Sequence, residues 1–266
     1  IPKKVLTIAG SDCSGGAGIQ ADLKTFQERD VYGMSVLTVL VAMRPEDWGH
    51  IVVPVDLEMI KNQFRTIFPG TGAEAAKTGM LPTVEIIETV AGLLKDAKVK
   101  HLVIDPVMVC KGTTEALFPE NTKAMIDHLL PLAEIITPNT FEAEQLSGMQ
   151  NLDTEEKIQD AAKRIMDFGC KNVVIKAARV FPDFSADLLY DGNSFHWIKD
   201  EKIKDCWTHG AGCTFSACIT AELAKGQTVQ QACQCAHDFV HAGLKKSFPL
   251  NKHVGPIYHK ALSKLV

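Results

Sequence analysis

The chain has 266 residues, long enough to bury a substantial core in one large α/β domain or two small ones. Its hydrophobic fraction of 46%, charged fraction of 23% and formal net charge of -4 set aside an extended disordered chain and any strong electrostatic pull toward nucleic acid. No run of about twenty apolar residues offers a membrane span, and Ile1-Pro2-Lys3-Lys4 lacks a signal peptide's apolar core, so a cytoplasmic location is expected.

Val5 to Ala9 is a short apolar run ending at Gly10, and Ala17 to Arg29 then carries Ile19, Leu23 and Phe26 on one helical face. The alternation continues with strand Ser35 to Val41, helix Leu57 to Ile67, strand Ala75 to Thr78, helix Thr83 to Leu94 and strand Leu102 to Asp105. A helix near Asn121 to Leu130, strand Ile135 to Thr137 and a helix through Glu142 to Leu146 follow. The next helix is expected from Asp153, where Asp153 and Glu156 make a capping-box pattern, and strand Asn172 to Lys176 comes after it.

Ala186 to Tyr190 and Ser194 to Ile198 flank Asp191-Gly192-Asn193 and read as a hairpin added to the sheet edge. Helices Thr214 to Lys225 and Thr228 to Lys246 complete the pattern, with Gly226 between them as a stop signal. No repeat, low-complexity tract or Pro/Gly/Ser-rich linker divides the chain, so a single domain over residues 1–266 is expected. The rhythm predicts an α/β fold, a three-layer αβα sandwich with a mostly parallel central sheet, whose binding site lies beyond the carboxyl ends of the strands.

His209-Gly210-Ala211-Gly212-Cys213-Thr214 has two glycines closing on a cysteine where a helix begins. Amides converging there, together with the positive end of the helix dipole, suit a phosphate or developing oxyanion. A helix N-terminus also lowers a thiol's pKa, which makes Cys213 a candidate reactive group; the alternative is a glycine turn capping an ordinary helix, with Cys213 as a packing residue. The eight cysteines, at 13, 110, 170, 206, 213, 218, 233 and 235, show no CxxC pairing and predict neither a zinc ribbon nor a disulfide framework.

Gly10-Ser11-Asp12-Cys13-Ser14-Gly15-Gly16-Ala17-Gly18 lets a ligand approach the backbone closely. It is a poor dinucleotide fingerprint, because no acid follows the second strand, and it is no phosphate loop, because Leu23 precedes Lys24-Thr25. Asp22, one turn beyond Gly18, is expected to face the same pocket. Asp105 at a strand end and Asn139 with Glu142 after another strand offer the hard oxygen donors that a nucleotide-bound Mg²⁺ takes, often through water. Lys176 closes its strand at the same sheet edge, within expected reach of a phosphate. Cradle, acids and lysine together form the parts list of phosphoryl transfer.

These motifs, in this order, resemble the ribokinase-like superfamily and, more closely, its hydroxymethylpyrimidine kinase branch. The resemblance rests on residues 7–12, on Ser14-Gly15-Gly16-Ala17-Gly18-Ile19-Gln20-Ala21-Asp22, on Lys77-Thr78-Gly79-Met80-Leu81, on Asp105-Pro106-Val107-Met108, on Thr137-Pro138-Asn139 with Glu142, and on residues 209–214. It implies an ATP- and Mg²⁺-dependent kinase, a homodimer by family habit, acting on a small heteroaromatic alcohol with neither nucleic-acid nor membrane partners. The amides around Gly210, Ala211 and Gly212 would hold the transition-state charge, and Cys213 would take the hydroxyl proton. Gly10, Ala17, Asp22, Met43, Met80 and Val107 would line the substrate pocket. Lys176, Asn139, Thr208, Gly212 and Gly255 would meet the nucleotide, and Asp105 and Glu142 the metal.

Three positions depart from the branch. Met43 stands where a glutamine usually hydrogen-bonds the pyrimidine, and a thioether cannot replace those bonds. Cys110, on the Val109-Cys110-Lys111-Gly112 loop, matches the bacterial pyridoxal kinases within the branch, which pair a lid cysteine with the cradle cysteine. The resemblance assigns this thiol reversible addition to an aldehyde substrate. Lys176-Ala177-Ala178 replaces the usual Lys-Gly-Gly. The implied reaction is phosphorylation of the 5′-hydroxymethyl group of a B6 vitamer; hydroxymethylpyrimidine kinase activity and a non-catalytic B6-binding homologue are the alternatives.

Overall fold

Strand β1 (Lys4–Asp12) sits near the centre of the sheet because both of its faces are apolar: Leu6 and Ile8 are buried on one side and Val5 on the other. The same two-sided burial recurs in β4 (Ala75–Thr78), β5 (His101–Ile104), β6 (Ile135–Ile136) and β7 (Val173–Lys176). Leu102 and Ile104 join one core and Val103 the other, as expected of parallel strands covered by helices on both faces. The protein is described by a computed structural model over residues 1–68, 70–108 and 119–262.

Among the described residues, nine strands form one sheet in the order β3-β2-β1-β4-β5-β6-β7-β8-β9. The pairs from β2 (Tyr32–Met43) through β1 to β7 are parallel, whereas β3 (His50–Pro54), β8 (Phe184–Tyr190) and β9 (Phe195–Glu201) are added antiparallel at the two ends. Chain order reverses between β1 and β4, and that switch point opens a crevice at the strand ends. Helices α2 (Leu57–Ile67), α3 (Val84–Ala97), α5 (Thr140–Ser147) and α6 (Glu155–Met166) cover one face. Helices α1 (Gly18–Glu28), α7 (Ala211–Ala224) and α8 (Val229–Lys245) cover the other, giving the expected three layers.

Helix α7 is buried on almost every side, from Thr214 to Ala224, which explains its weakly amphipathic sequence. Helix α4 (Pro119–Ala124) passes into a widened turn over Met125–Leu129 and a tight one over Leu130–Leu132, where Pro131 cannot donate an amide.

Several boundaries differ from expectation, among them the start of α7, which begins at Ala211 rather than Thr214. Strand β1 continues past a bulge at Ala9/Gly10 to Asp12, so the glycine-rich turn begins later than the apolar run suggests. Strand β2 is longer than expected at both ends, and β3 was not anticipated at all. Helix α6 is capped by Thr154, whose side chain accepts from the Lys157 amide, while Asp153 pairs with the Lys157 ammonium at 2.7 Å.

Candidate active site

The ends of β1, β2, β4, β5 and β7 and the start of α7 enclose a cavity of about 290 Å³. Its apolar wall is built by Val41, Met43, Met80 and Val107, and Gly10 and Ala17 line it beside the first turn. On the polar side Asp105, Asn139, Glu142 and Lys176 face Gly210, Gly212 and Cys213. Sequence motifs separated by up to two hundred residues therefore converge on one crevice.

The cradle is set by Gly210, the N-cap of α7, which adopts a left-handed φ of 79°. A Cβ there would overlap the Gly16 carbonyl oxygen, and a Cβ on Gly16 would overlap the His209 ring, so the two glycine turns pack directly on each other. Ala211 departs from its expected role because its amide is donated to the Thr208 carbonyl at 3.2 Å. The amides of Gly212 and Cys213 belong to the first turn of the helix, where no intrahelical acceptor exists, and they remain to meet an anion.

The Cys213 thiol lies close to the glycine-rich turn, within electrostatic reach of the Gly18 amide. Burial pushes its pKa up to about 12; Lys77 and the Gly18 amide pull down, while Asp22 and Asp105 push up. The helix terminus thus does not make it a resting thiolate, contrary to the expectation from sequence: desolvation and two carboxylates outweigh the dipole.

Beneath the thiol, Lys77 of β4 is fully buried, with Nζ 2.9 Å from Asp22 Oδ1 and 4.0 Å from Asp105 Oδ2. Burial alone would lower this ammonium's pKa, but Asp22, Cys213 and Asp105 raise it, so it stays charged. Asp22 is itself completely buried and accepts from the Thr7 hydroxyl as well as from Lys77. It therefore does not line the pocket as expected; helix α1 turns it inward, where it holds Lys77 in place.

Asp105 accepts from Ser216 Oγ at 3.0 Å and lies 3.4 Å from Lys176 Nζ. Glu142 closes a capping box with Asn139: Asn139 N–H donates to Glu142 Oε2 at 2.8 Å and Glu142 N–H to Asn139 Oδ1 at 2.9 Å. Burial raises the Glu142 pKa to about 7, with Lys176 opposing and Asp105 adding to the rise. Lys176 is desolvated too, yet Asp105 and Glu142 hold its pKa above the usual lysine value. Two carboxylates with one lysine between them leave the site rich in hard oxygen donors.

Thr208 and Gly255 do not line the cavity. Thr208 accepts from the Ala211 amide, and buried Gly255 accepts from the His209 amide at 3.1 Å while packing under Trp207. Cys110 lies outside the described residues.

Several contributors escaped the sequence reading. Asp12 accepts from Ser14 and Ala17 amides at 2.8 and 2.9 Å, and its Oδ2 lies 2.7 Å from Nε2 of buried His209. Burial would raise the Asp12 pKa, but the bonds from His209 and Ser14 bring it down to about 2. His50 on β3 sits opposite Met43, faces the cavity, and has a buried Nδ1 without a hydrogen-bond partner. Lys77 opens the Lys77-Thr78-Gly79-Met80-Leu81 motif at the end of β4. Asp12 and Lys77 carried a signal as charged residues inside apolar strands, whereas His50 needed the unanticipated strand.

Comparison with known proteins agrees with this geometry. Residues 12–258 match the family model described as phosphomethylpyrimidine kinase. The chain is 54% identical over 261 residues to a pyridoxine kinase of Bacillus subtilis (strain 168), covering 97% of this chain and 96% of the relative. The fold matches an ADP complex of Bacillus subtilis pyridoxal kinase with a TM-score of 0.95 at 54% identity, covering 98% of this chain and 99% of that one. It also matches the Staphylococcus aureus pyridoxal kinase in complex with AMP-PCP and pyridoxal, with a TM-score of 0.94 at 44% identity over 100% of this chain and 96% of that one. With cradle, cysteine and acid pair in one crevice and the family model spanning nearly the whole chain, the protein belongs to the phosphomethylpyrimidine kinase family.

Proposed function

We propose that this chain transfers the γ-phosphoryl group of ATP to the 5′-hydroxymethyl group of pyridoxal, pyridoxine or pyridoxamine. The observation that carries the reading is the juxtaposition of an anion cradle ending in Cys213 with an apolar wall in which Met43 replaces a hydrogen-bonding side chain. An apolar wall with a single imidazole handle, His50, suits a methylated pyridine ring better than an aminopyrimidine, whose donors and acceptors would go unpaired against Met43. The ADP and AMP-PCP complexes of the two relatives support ATP as donor.

In the reaction the hydroxymethyl oxygen forms a bond to the γ-phosphorus as the bond to the bridging oxygen of ADP breaks. The hydroxyl proton passes to the Cys213 sulfur, and the thiolate is the accepting form. Lys77 beneath the sulfur and the first-turn amides of α7 favour that thiolate, while Lys176 and the amides of Gly212 and Cys213 offset charge on the transferring group. Asp22, Thr7, Ser216 and Asp105 hold the two lysines in place.

A divalent cation fits the acid pair. Buried Glu142 keeps a raised proton affinity beside Asp105, so positive charge is favoured there, and both residues offer the oxygen donors that Mg²⁺ takes. Asp105 and Glu142 would hold Mg²⁺ through water beside Lys176, and the ion would supply charge neutralisation to the triphosphate.

Hydroxymethylpyrimidine phosphorylation is the second reading, favoured by the family model itself. Turnover of pyridoxal and of hydroxymethylpyrimidine at equal ATP and Mg²⁺ separates the two. A kcat/KM at least tenfold higher for pyridoxal is expected, and the reverse ratio overturns the first reading. We further propose that the active form is a homodimer joined through the exposed apolar side chains of the β2–β3 edge.

A further inference from the structure

Helix α8 and the β8–β9 hairpin gather a second set of ligating side chains that contributes nothing to the cavity. His237 and His241 lie one turn apart on one face of α8, with their side chains only 6% and 10% exposed and their rings stacked with centroids 6.1 Å apart. Nδ1 of His237 is 2.7 Å from Asp187 Oδ2 on β8, which fixes the orientation of that ring. Nε2 of each imidazole is buried and has no hydrogen-bond partner.

Leaving a buried polar nitrogen unpaired costs about 1–3 kcal/mol, and here two such atoms are neighbours on one helix face. Asp200 on β9 approaches them, with Oδ2 3.5 Å from His241 Nε2. Each of the three residues offers a ligand atom, and the three atoms all lie within 4.8 Å of one another. In a tetrahedral zinc site with bonds near 2.0–2.1 Å, neighbouring donors are about 3.3 Å apart, so the His241–Asp200 edge needs almost no adjustment. The other two edges lie within 4.8 Å, and Asp200, partly exposed on the hairpin, has room to move toward the imidazoles.

We propose that His237, His241 and Asp200 form a binding site for a zinc-class divalent cation, with Asp187 orienting the first imidazole. Two histidines at i and i+4 on a helix are a geometry that holds zinc, and a carboxylate on the second nitrogen of a ligating imidazole is the usual outer support. Imidazole donors select zinc, nickel or copper over magnesium. The fourth position is left to water, because Glu201, 4.0 Å from His241 Nε2, is already paired with Lys245.

Among the described residues a second ligating cluster, Cys218, Glu222 and Cys235, is less suited to a cation. Its glutamate already holds Arg29 at 2.6 Å and Lys225 at 2.8 Å, and those positive charges oppose a metal ion. The proposed site instead joins α8 to a hairpin whose Asp187 is the register partner of Lys176 on β7. A bound ion would fasten the outer sheet edge one strand away from the cavity.

The test uses the full chain, stripped with a chelator and titrated with Co²⁺ and then Zn²⁺ in excess Mg²⁺, which covers the cavity carboxylates. One Co²⁺ per chain is expected, with visible d–d absorption, no thiolate charge-transfer band, and full displacement by Zn²⁺. Zn²⁺ at a hundred times its Kd raises the stability of the chain by about 2.7 kcal/mol, read as a rise in Tm. Asp200→Asn, a change at the surface that leaves the core intact, and His241→Gln should each weaken Zn²⁺ binding at least tenfold, while Cys235→Ser should bind as wild type. Absence of the Co²⁺ spectrum in the wild type, binding unchanged in Asp200→Asn and His241→Gln, or loss in Cys235→Ser would each overturn the proposal. None of these readouts depends on kinase turnover.

Discussion

Cys213 shows how far a residue's chemistry departs from what its position in the sequence suggests. A helix start favours a thiolate, yet burial with Asp22 and Asp105 nearby pushes the pKa up to about 12, so the resting group is a thiol. If the thiolate accepts the substrate proton, turnover must rise with pH over the whole range in which the protein stays folded. Cys213→Ala is expected to lower kcat by about 100-fold or more, the usual contribution of a positioned base. Cys213→Asp, which puts a carboxylate acceptor in place of the thiol, should recover part of that loss and flatten the alkaline rise; a pH–rate series on the three proteins reads both. Glu142 is the other residue whose environment sets its charge. Its folded pKa of about 7 lies above the unfolded value, so its contribution to stability is fully present below the unfolded pKa and is lost as pH rises through 7. Glu142→Gln keeps an acceptor for the Asn139 amide and removes the titration. The wild type should therefore lose up to about 3 kcal/mol relative to the variant between pH 4.5 and 8, at about 1.4 kcal/mol per pH unit. Parallel denaturant melts across that interval measure the difference.

Elements decide which parts of the site were legible from sequence. The βα rhythm placed the parallel strands and α2 closely because two-sided apolar strands and amphipathic helices have distinct periods, and the motifs at strand ends were bound to meet at a switch point. Strand β3 escaped because an antiparallel return needs only a short turn and no helix: its signal was the β-branched run Ile51-Val52-Val53, ended by Pro54 and preceded by a turn at Arg44 to Gly49. With it went His50. The direction of Asp22 was equally hidden, since a helix with a buried polar stripe looks in sequence like one that offers the same residue to a ligand. The cradle, in contrast, was visible because glycine has few rivals where backbones touch. At Gly210 the left-handed φ and the Gly16 carbonyl both exclude a side chain, so Gly210→Ala must either displace the Gly16 turn or unseat the start of α7. We expect it to lower kcat by about 100-fold or more, as loss of an oxyanion donor does, and to lower Tm as well. Gly226→Ala, also at positive φ but in open space beyond α7, should cost stability with turnover preserved. Measuring kcat and Tm for both variants separates the cradle's close approach from backbone strain alone.

At the scale of the whole molecule the sheet is finished differently at its two ends. The β8–β9 end is sheltered by α6 and α8, with charged pairs such as Lys199–Glu155 and Lys245–Glu201 on its rim. The polar cover of that hairpin argues against a role in self-association. The β2–β3 end instead exposes Ile51 and Val53 on the edge strand β3 and Leu40 beside them on β2, each about half accessible. Edge strands with apolar side chains are rarely left uncovered, because their free backbone groups invite pairing, and a two-fold arrangement satisfies two such edges at once. The same hairpin carries Met43 and His50 into the cavity wall, so a partner seated on its outer face would also steady the substrate pocket. Ile51→Lys combined with Val53→Lys is therefore expected to convert a dimer to a monomer in sedimentation equilibrium. Both side chains are already in contact with solvent in the single chain, so the variant monomer should keep its far-ultraviolet circular dichroism. Its KM for pyridoxal should rise several-fold, while ATP-side behaviour, set by Lys176 and the α7 cradle far along the sheet, stays close to wild type. A wild-type chain that sediments as a monomer, or a double variant that remains dimeric with an unchanged KM, would remove both the interface and its link to the pocket.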